Sequence, residues 1–248
     1  MKASLLLLLL AVGISAQIKK PEPPAVKPAY ESSLQAIVVT TDGWDVNKGT
    51  AQLYGRKRSK DAWNVVGKEF PVVIGRSGLG IDGTGDWSEE FAHVTKQEGD
   101  GRSPAGLFPL TYAFGRVDIE NSKIKFVHLV EHTECVDDVN SNHYNKIVNR
   151  MQVGAFDWKS SEKMAEITPE YDLGLFVAYN SYPVIKGRGS CIFLHLWKDA
   201  NTPTSGCTAM APRDLDTVVN WLDPKKTPYL VQMPKDVYAH YKSLWKLP

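Results

Sequence analysis

The sequence carries almost no excess of charge of either sign. Lysine and arginine number 29 against 28 aspartates and glutamates, so the 248-residue chain has a net charge of +1. It also has no marked basic tract. Proteins that bind nucleic acid concentrate positive charge where they meet the phosphate backbone. We therefore expect no nucleic-acid partner.

Long hydrophobic runs are also missing. The longest apolar run, residues 5–14, is too short to cross a bilayer as a stable helix. Lys2 precedes it and the small residues Ser15 and Ala16 follow it, which is the pattern of a secretory signal peptide. We predict a signal peptide over residues 1–16 and an exported protein of the periplasm or cell envelope, not an integral membrane protein. A buried N-terminal helix is the alternative.

The next segment offers little to bury. Residues 17–33 contain four prolines and few large apolar side chains, which predicts an extended, Pro-rich linker. From residue 34 onward the amino-acid composition becomes that of a folded domain. With 43% hydrophobic residues in the chain, a sizeable core can form. We predict one mainly β domain over residues 34–248.

Segments rich in β-branched and aromatic residues alternate with breaks rich in glycine and aspartate. They predict strands over residues 34–41, 50–54, 63–74, 107–114, 123–130, 173–179 and 191–196. Apolar residues at helical spacing predict two helices, over residues 214–222 and 234–245. The apolar stripe of the second helix is Val237, Tyr238, Tyr241, Leu244 and Trp245. The fold prediction is mainly β, with few helices.

Cysteine is scarce and odd in number. In an exported protein, three cysteines leave one thiol unpaired. The economical arrangement joins Cys135 to Cys191 in a disulfide and leaves Cys207 free. Three reduced cysteines, two of them small core residues, are the alternative, because the sequence cannot establish the close approach that a disulfide needs.

One group of residues superficially resembles metal ligands. His128, His132 and Cys135 are close in sequence, but the preceding residues favour a strand, which would splay the two histidines. No second ligand cluster accompanies them, and structural zinc needs four ligands. We predict no metal site.

The segment over residues 192–210, IFLHLWKDANTPTSGCTAM, combines groups with nucleophilic chemistry. His195 ends an apolar strand, and Cys207 follows a polar loop. A free thiol is only slightly ionised at neutral pH, so a neighbouring imidazole would help to generate thiolate. Gly206 lets the backbone approach a carbonyl, and the backbone around Ser205 and Gly206 could stabilise an oxyanion. A structural histidine and a turn beside a core thiol are the alternative.

The stretch from His195 to the TSGCTAM motif at residues 204–210 resembles the active-site signature of the YkuD-type L,D-transpeptidases. A second segment, KQEGDGRSPAGLFPL at residues 96–110, resembles the Gly-Asp-Gly segment of the same family. Residues 76–80 and 137–145 also resemble segments of one branch. The resemblance covers about residues 70–213, with the segments in the expected order.

The resemblance implies a YkuD-like β-sandwich or barrel domain with a few peripheral helices, acting on peptidoglycan stem peptides. Cys207 would be the nucleophile and His195 the general base. A thioester on the cysteine would pass to an amine acceptor, with no metal or organic cofactor.

Some positions depart from the common pattern of the family. Ser205 and Ala209 stand where many members have histidine and arginine, and Cys207 follows His195 by only 12 positions. We therefore place the chain in a short-loop branch. Leu196 follows the base and has no hydroxyl to orient it, so we predict that a backbone carbonyl fixes the imidazole tautomer.

Four further residues are candidates for binding substrate. Asp138, Tyr144 and Asn145 fall in a matching segment and could line the cleft, although polar loop residues are as often turn formers. Arg188 lies between two glycines and could bind a carboxylate through its planar fork, or could be a solvated loop charge.

Two other functions remain open. The same Cys–His pair could use water as acceptor, which would make the protein an L,D-carboxypeptidase or a related hydrolase. The domain could also be a catalytically silent, exported module that binds the cell wall.

Overall fold

The structure is a computed structural model that describes residues 28–83, 87–116, 119 and 122–248. The predicted signal peptide (1–16) and most of the predicted linker lie outside the described residues. The C-terminal end of the predicted linker departs from the prediction, because Tyr30 and Ser33 are buried against the domain. Residues 28–33 include the short helix α1 (Pro28–Glu31), and Tyr30 is buried with its ring edge-on to Tyr229, 5.3 Å between centroids.

The described residues form many strands and few helices. The strands are β1 (Gln35–Thr41), β2 (Lys48–Gly55), β3 (Asn64–Val73), β4 (Leu79–Ile81), β5 (Ser103–Gly115), β6 (Lys125–His128), β7 (Thr133–Cys135), β8 (Ile147–Asn149), β9 (Glu162–Lys163), β10 (Leu173–Val177), β11 (Phe193–Leu196), β12 (Thr208–Met210) and β13 (Tyr229–Pro234). Two longer helices follow late in the chain, α2 (Pro212–Trp221) and α3 (Lys235–Leu244).

The main sheet follows the order β10-β11-β12-β3-β2-β1-β13-β5-β4, with β6 added beside β5. Strand β5 also pairs with β10, so the sheet closes on itself as a barrel. Closure removes two exposed sheet edges, and the 13-residue length of β5 lets it pair with several neighbours. The predicted mainly β fold with a few peripheral helices is confirmed.

Both faces of the central strand β1 are covered, which explains why its sequence is almost continuously apolar. Ile37 and Val39 join the main core, together with the apolar face of α2. Ala36 and Val38 join a second cluster with α3 and Tyr30. In the predicted apolar stripe of α3, Val237, Tyr241 and Trp245 are buried, as expected. Leu244 is instead 42% exposed, because it lies on the outer side of the helix end.

A small second sheet stands beside the barrel, in the order β8-β7-β9. Cys135 on β7 pairs with Ile147 on β8 and with Glu162 on β9. A disulfide from Cys135 to Cys191 ties this sheet to the residue that lies two positions before β11. No helix within the described part of the chain is long and apolar enough to span a membrane.

Candidate active site

His195 lies on β11, and Cys207 immediately precedes the adjacent parallel strand β12. In the register of β11 and β12, His195 lies opposite Ala209 and Leu194 lies opposite Thr208. Leu194 belongs to the main core, whereas Phe193 and Cys207 belong to a third cluster on the opposite face. Because side chains alternate along a strand, His195 projects on the same face as Phe193. The thiol and the imidazole therefore lie on one face of the sheet.

The backbone fixes the tautomer of His195. Its Nδ1 lies 2.7 Å from the carbonyl oxygen of Leu196, and a carbonyl oxygen only accepts hydrogen bonds. Nδ1 therefore carries the hydrogen and Nε2 is the acceptor, which confirms the predicted role of a backbone carbonyl. The imidazole also packs edge-on to the ring of Tyr171, with 5.3 Å between centroids. Burial lowers the pKa of His195 to about 4, so the imidazole is neutral at pH 7.

The Cys207 thiol is buried and neutral. Burial is the main cause that raises its pKa above the ordinary value of a thiol, and the nearby Glu162 carboxylate adds to it. The sulfur accepts a hydrogen bond from the Phe193 N–H at 3.3 Å and donates to the Cys191 carbonyl at 3.4 Å. We expected the imidazole to generate thiolate, but burial favours the neutral form of both the thiol and the imidazole in the resting protein.

The turn before Cys207 is tightly bonded to its own backbone. The Thr204 hydroxyl donates to the Cys207 carbonyl at 2.6 Å and accepts from the Gly206 N–H at 3.1 Å. The Gly206 N–H is thus already engaged. Gly206 has a φ of +154°, and a Cβ there would lie 3.1 Å from the Arg102 carbonyl oxygen, so only glycine fits without strain.

A cavity of about 330 Å³ opens at Cys207. Ser205, Gly206 and Ile192 form its wall beside the sulfur. Its charged lining has both signs and consists of Arg76, Lys96, Glu98, Asp137 and Glu162. His195 is not one of the residues that line this cavity. The site can therefore admit a peptide bearing both ammonium and carboxylate groups.

A model of the YkuD family, the L,D-transpeptidase catalytic domain, matches residues 44–231. The chain belongs to this family. The matched residues include every part of the site described above, from Arg76 to Cys207. YkuD domains catalyse L,D-transpeptidation of peptidoglycan through a cysteine, and they are typically exported to the cell envelope.

Among solved structures, the YkuD domain is similar to the helical cell shape determining protein Pgp2 from Campylobacter jejuni, at 13% sequence identity and a TM-score of 0.38. The match covers 82% of this chain and 48% of that chain, so this chain spans about half the length of Pgp2. No curated protein sequence matches the chain significantly.

The four predicted substrate residues of this YkuD domain lie outside the lining of the cavity at Cys207. Tyr144 is buried, donates to Glu98 Oε2 at 2.5 Å and accepts from the Gly189 N–H. Asn145 is also buried and binds the backbone of Tyr179, Asn180 and Cys191. Both serve the structure, because they satisfy backbone groups that would otherwise be buried without partners.

Asp138 and Arg188 are placed elsewhere for different reasons. Asp138 accepts from the backbone N–H groups of Asn140 and Lys159, which lower its pKa, so it acts as a turn former. Arg188 lines two other hollows of the surface, and its guanidinium lies against Gly83. The neighbouring Asp137 takes the place in the cavity that we expected for Asp138. Its Oδ1 is buried and has no hydrogen-bond partner among the described residues.

Cys135 and Cys191 form a disulfide, and Cys207 is the free cysteine. Cys191 has a φ of +55°, a conformation that is unfavourable for a residue other than glycine. Two contacts hold it there, the disulfide to Cys135 and the hydrogen bond from its N–H to Asn145 Oδ1 at 2.9 Å. Because Cys135 is bonded to sulfur, it cannot act as a zinc thiolate with His128 and His132. Within the described residues, no group of three or more His, Cys, Asp or Glu side chains could hold a metal ion.

Two residues of the site escaped the sequence analysis. Glu162 lines the cavity, and its Oε2 accepts a hydrogen bond from the Tyr171 hydroxyl at 2.6 Å. Tyr171 packs in the same buried cluster as Cys207. Burial raises the pKa of Glu162 to about 7 and outweighs the Tyr171 hydrogen bond, which lowers it. No local motif marks either residue.

Proposed function

We propose that this YkuD domain is a peptidoglycan L,D-transpeptidase that works through a thioester on Cys207. The observation that carries the proposal is that Cys207, just before β12, and His195, on the adjacent parallel strand β11, lie on one face of the sheet, with the Nδ1 hydrogen bound to a backbone carbonyl. This leaves Nε2 as the acceptor for the thiol proton. The mixed charge of the adjoining cavity supports a stem peptide, which bears both carboxylates and amines.

In the first half-reaction, the Cys207 sulfur attacks the carbonyl carbon between an L-centre and a terminal D-residue. The thiol proton passes to His195 Nε2 as the carbon–sulfur bond forms. Because the neutral forms of both groups are favoured at rest, proton transfer and attack proceed together. The carbon–nitrogen bond then breaks, the leaving amine takes the proton from His195, and a thioester remains.

The oxyanion of this step needs hydrogen-bond donors. The Gly206 N–H already donates to Thr204, so we assign the donor role to the N–H of Cys207 itself. The turn of Ser205 and Gly206 positions that amide, and Gly206 keeps the approach open. A single oxyanion donor contributes roughly 3 kcal/mol in other enzymes.

Binding of the stem peptide is assigned to charges that line the cavity. Arg76 is the candidate for a substrate carboxylate, because its planar guanidinium suits that group. The unpartnered Oδ1 of Asp137 is the candidate for a substrate ammonium, since a buried carboxylate oxygen without a partner is costly. In the second half-reaction an amine acceptor attacks the thioester and forms the cross-link.

We further propose that the protein works in the periplasm or cell envelope, in keeping with the typical location of YkuD domains. Residues 1–16 would serve as the export signal. Part of the Pro-rich segment over residues 17–33 would then link it to the folded domain.

The test incubates the purified full-length protein with defined muropeptides and follows the products by mass spectrometry. We expect a Cys207 thioester in the intact-mass spectrum and a cross-linked product when an amine acceptor is present. Cys207→Ser should form no stable thioester, and His195→Gln should slow its formation by about 100-fold or more. Glu166→Gln, an exposed carboxylate four residues from Glu162, is the matched control.

Two results would redirect the proposal. Release of a shortened peptide with no transfer to any amine would identify an L,D-carboxypeptidase that uses the same pair. A reduced Cys207 that never gains an acyl adduct would contradict the enzymatic function and favour a silent wall-binding module.

A further inference from the structure

Arg188 is a half-buried cation that the site described above does not use. Its backbone is fixed, because its N–H donates to the Ile185 carbonyl at 3.2 Å and its carbonyl accepts from the Tyr179 hydroxyl. Within the described part of the chain its guanidinium makes no hydrogen bond and no ion pair, whereas Arg102 is paired with Asp45 at 2.8 Å. A partly buried charge without a partner is costly, so it points to a ligand of opposite charge.

Two hollows of the surface meet at this guanidinium. The first has a volume of about 350 Å³, and its lining consists of Thr95, Gln97, Lys186, Gly187 and Arg188. Both charged side chains in this lining are cations. The second has a volume of about 360 Å³ and is largely aromatic and apolar, with Phe108, Pro109, Tyr179, Tyr182 and Ile185 in its lining. Ligand pockets in proteins have this size and this combination of apolar walls with a few polar groups.

The second hollow also contains a carboxylate, which does not neutralise Arg188. This carboxylate belongs to Asp82, which is buried and accepts from Trp87 Nε1 at 3.3 Å. No ion pair joins Asp82 to Arg188. Tyr182 in the same lining is 97% exposed, so its ring is available to a ligand. The hollows therefore favour an anionic group that is attached to an apolar part.

The loop that carries Arg188 is held in one conformation. The Asn180 side-chain amide donates to the carbonyls of Ile185 and Gly189, each at 2.9 Å, and its oxygen accepts the Ile185 N–H at 2.8 Å. Gly189 has a φ of +104°, and a Cβ there would lie 3.1 Å from Lys96 Nζ, so glycine is required next to Arg188. The hollows are thus formed before a ligand arrives, which lowers the entropic cost of binding.

The hollows and the cavity at the nucleophile share a thin wall. Glu98 lines the cavity, and its N–H donates at 2.9 Å to the carbonyl of Gly187, which lines the first hollow. Ser190 lines the cavity, and Arg188, two positions earlier, lines both hollows. Residues two positions apart in a chain are separated by at most about 7 Å. A peptide with one end in the cavity can therefore reach Arg188 across this wall.

We propose that Arg188 anchors the acceptor stem peptide by binding one of its carboxylates, and that the two hollows form the acceptor subsite. This inference rests on the proposed function, because it requires a thioester on Cys207 that an amine of the acceptor attacks. In the proposed reaction the donor stem occupies the cavity, with Arg76 and Asp137 as its charged partners, so the acceptor approaches from outside it. The planar guanidinium of Arg188 suits a carboxylate, and Lys186 adds a second positive charge.

The first experiment measures binding without catalysis. The full-length protein with Cys207→Ala and Arg76→Gln lacks the nucleophile and the carboxylate partner assigned to the donor. It is titrated in a calorimeter with an acceptor muropeptide whose carboxylates are either free or amidated. We expect amidation to weaken binding about tenfold, since a hydrogen-bonded charge pair is lost. Adding Arg188→Gln should weaken the free form about as much and abolish the effect of amidation.

The second experiment separates acceptor binding from the chemical steps. The thioester is formed with a donor muropeptide on Cys207, and its transfer is followed by mass spectrometry as the acceptor concentration is varied. We expect Arg188→Gln to raise the KM for the acceptor about tenfold, while the saturating rate and the rate of thioester formation change by less than about twofold. A structural defect would lower all three rates together. Arg213→Gln removes an exposed arginine from α2 and should match the wild type.

Three results would overturn the inference. They are equal binding of the free and amidated acceptors, a tenfold difference that survives Arg188→Gln, and tighter Arg188-dependent binding of inorganic phosphate than of the stem, which would identify a phosphate site. None of these results depends on acylation. A protein that binds the stem through Arg188 but never forms a thioester would retain the stem site and contradict the proposed enzyme.

Discussion

The carbonyl oxygen of Cys191 accepts a hydrogen bond from the Cys207 thiol at 3.4 Å, although the two residues are 16 positions apart. Cys191 is itself bonded to Cys135 on the small sheet. The position of the sulfur therefore depends on a disulfide that belongs to a different sheet, and the same disulfide holds the wall that carries Glu162.

Removal of this disulfide should cost both stability and activity. The bridge closes a separation of 56 residues, and the loop-entropy relation gives about 4 kcal/mol of stabilisation for such a loop. We expect Cys135→Ser/Cys191→Ser to lose about this much free energy of unfolding in urea titrations and to acylate more slowly. A thiol titration of the denatured wild type should count one free cysteine. An equal stability of the two proteins would contradict the structural role.

His195 should make stability depend on pH. Its pKa is about 4 in the folded state, below the ordinary value of about 6.5 for histidine in an unfolded chain, so the unfolded state binds more protons between these values. The contribution is therefore full above pH 6.5 and is lost as the pH falls towards 4, by up to about 3 kcal/mol.

The measurement is the difference in unfolding free energy between the wild type and His195→Gln from pH 7 to pH 4. We expect this difference to shrink as the pH falls, since only the wild type buries a neutral histidine here. His240→Gln removes an exposed histidine from α3 and controls for the loss of a histidine as such. A difference that stays constant over this range would show that His195 is not buried in its neutral form.

Glu134 should anchor the small sheet. Its buried carboxylate accepts from Trp158 at 2.8 Å and from Ser161 at 2.7 Å, and it pairs with Lys163 and Arg150, each at 2.7 Å. Burial alone would raise its pKa, but the hydrogen bonds from Lys163, Ser161 and Trp158 outweigh it and lower the pKa to about 2.

We expect Glu134→Gln to lower the free energy of unfolding by about 2 kcal/mol at pH 7. This loss is smaller than that for a fully buried ion pair, because the side chains of Lys163 and Arg150 are partly exposed to solvent. The loss should be constant above pH 4.5 and shrink as the pH falls towards 2, where the wild-type carboxylate also becomes protonated. Urea midpoints at several pH values provide the measurement. Glu166→Gln, with an exposed carboxylate, should change the midpoint little.

Gly206→Ala should impair acylation more than stability. An alanine there combines an unfavourable φ of +154° with a Cβ 3.1 Å from the Arg102 carbonyl, so the turn must shift. A shift of the adjoining Cys207 by a fraction of an ångström misaligns the sulfur and its amide, and we expect acylation to fall by about 100-fold. Gly43→Ala meets no atom within 4 Å and is the control. Normal acylation by Gly206→Ala would refute the requirement for glycine.

The sequence predicts the barrel well where strands are long or helices are amphipathic. Strand β1 and helix α2 have strong local patterns, because their side chains face packed neighbours along their whole length. Strand β12 has only three residues, and β13 contains the polar Gln232 and ends at Pro234, so neither carries a clear pattern. Their pairing is decided by neighbours that are distant in the chain.

In the site, too, residues within one short segment can be predicted, whereas residues brought together from distant parts of the chain cannot. His195 and Cys207 stand out because one short segment contains both, and the tautomer of His195 follows from the absence of a hydroxyl at Leu196. Glu162 comes to the cavity through the pairing of β7 with β9, and Tyr171 joins the cluster around Cys207 through packing beside β10, and no local motif encodes either placement. Asn145 is polar for a structural reason, since it satisfies buried backbone groups around Cys191.

The neutral state of Cys207 has a consequence for its chemical lifetime. Oxidants and disulfides react with thiolate far more readily than with thiol, and burial keeps the thiolate fraction of Cys207 low. The unpaired sulfur can therefore persist beside the Cys135–Cys191 bridge without exchanging into it or being converted to a sulfenic acid. The desolvation that makes the nucleophile slow to ionise also preserves it in surroundings where an ordinary exposed cysteine would soon be lost.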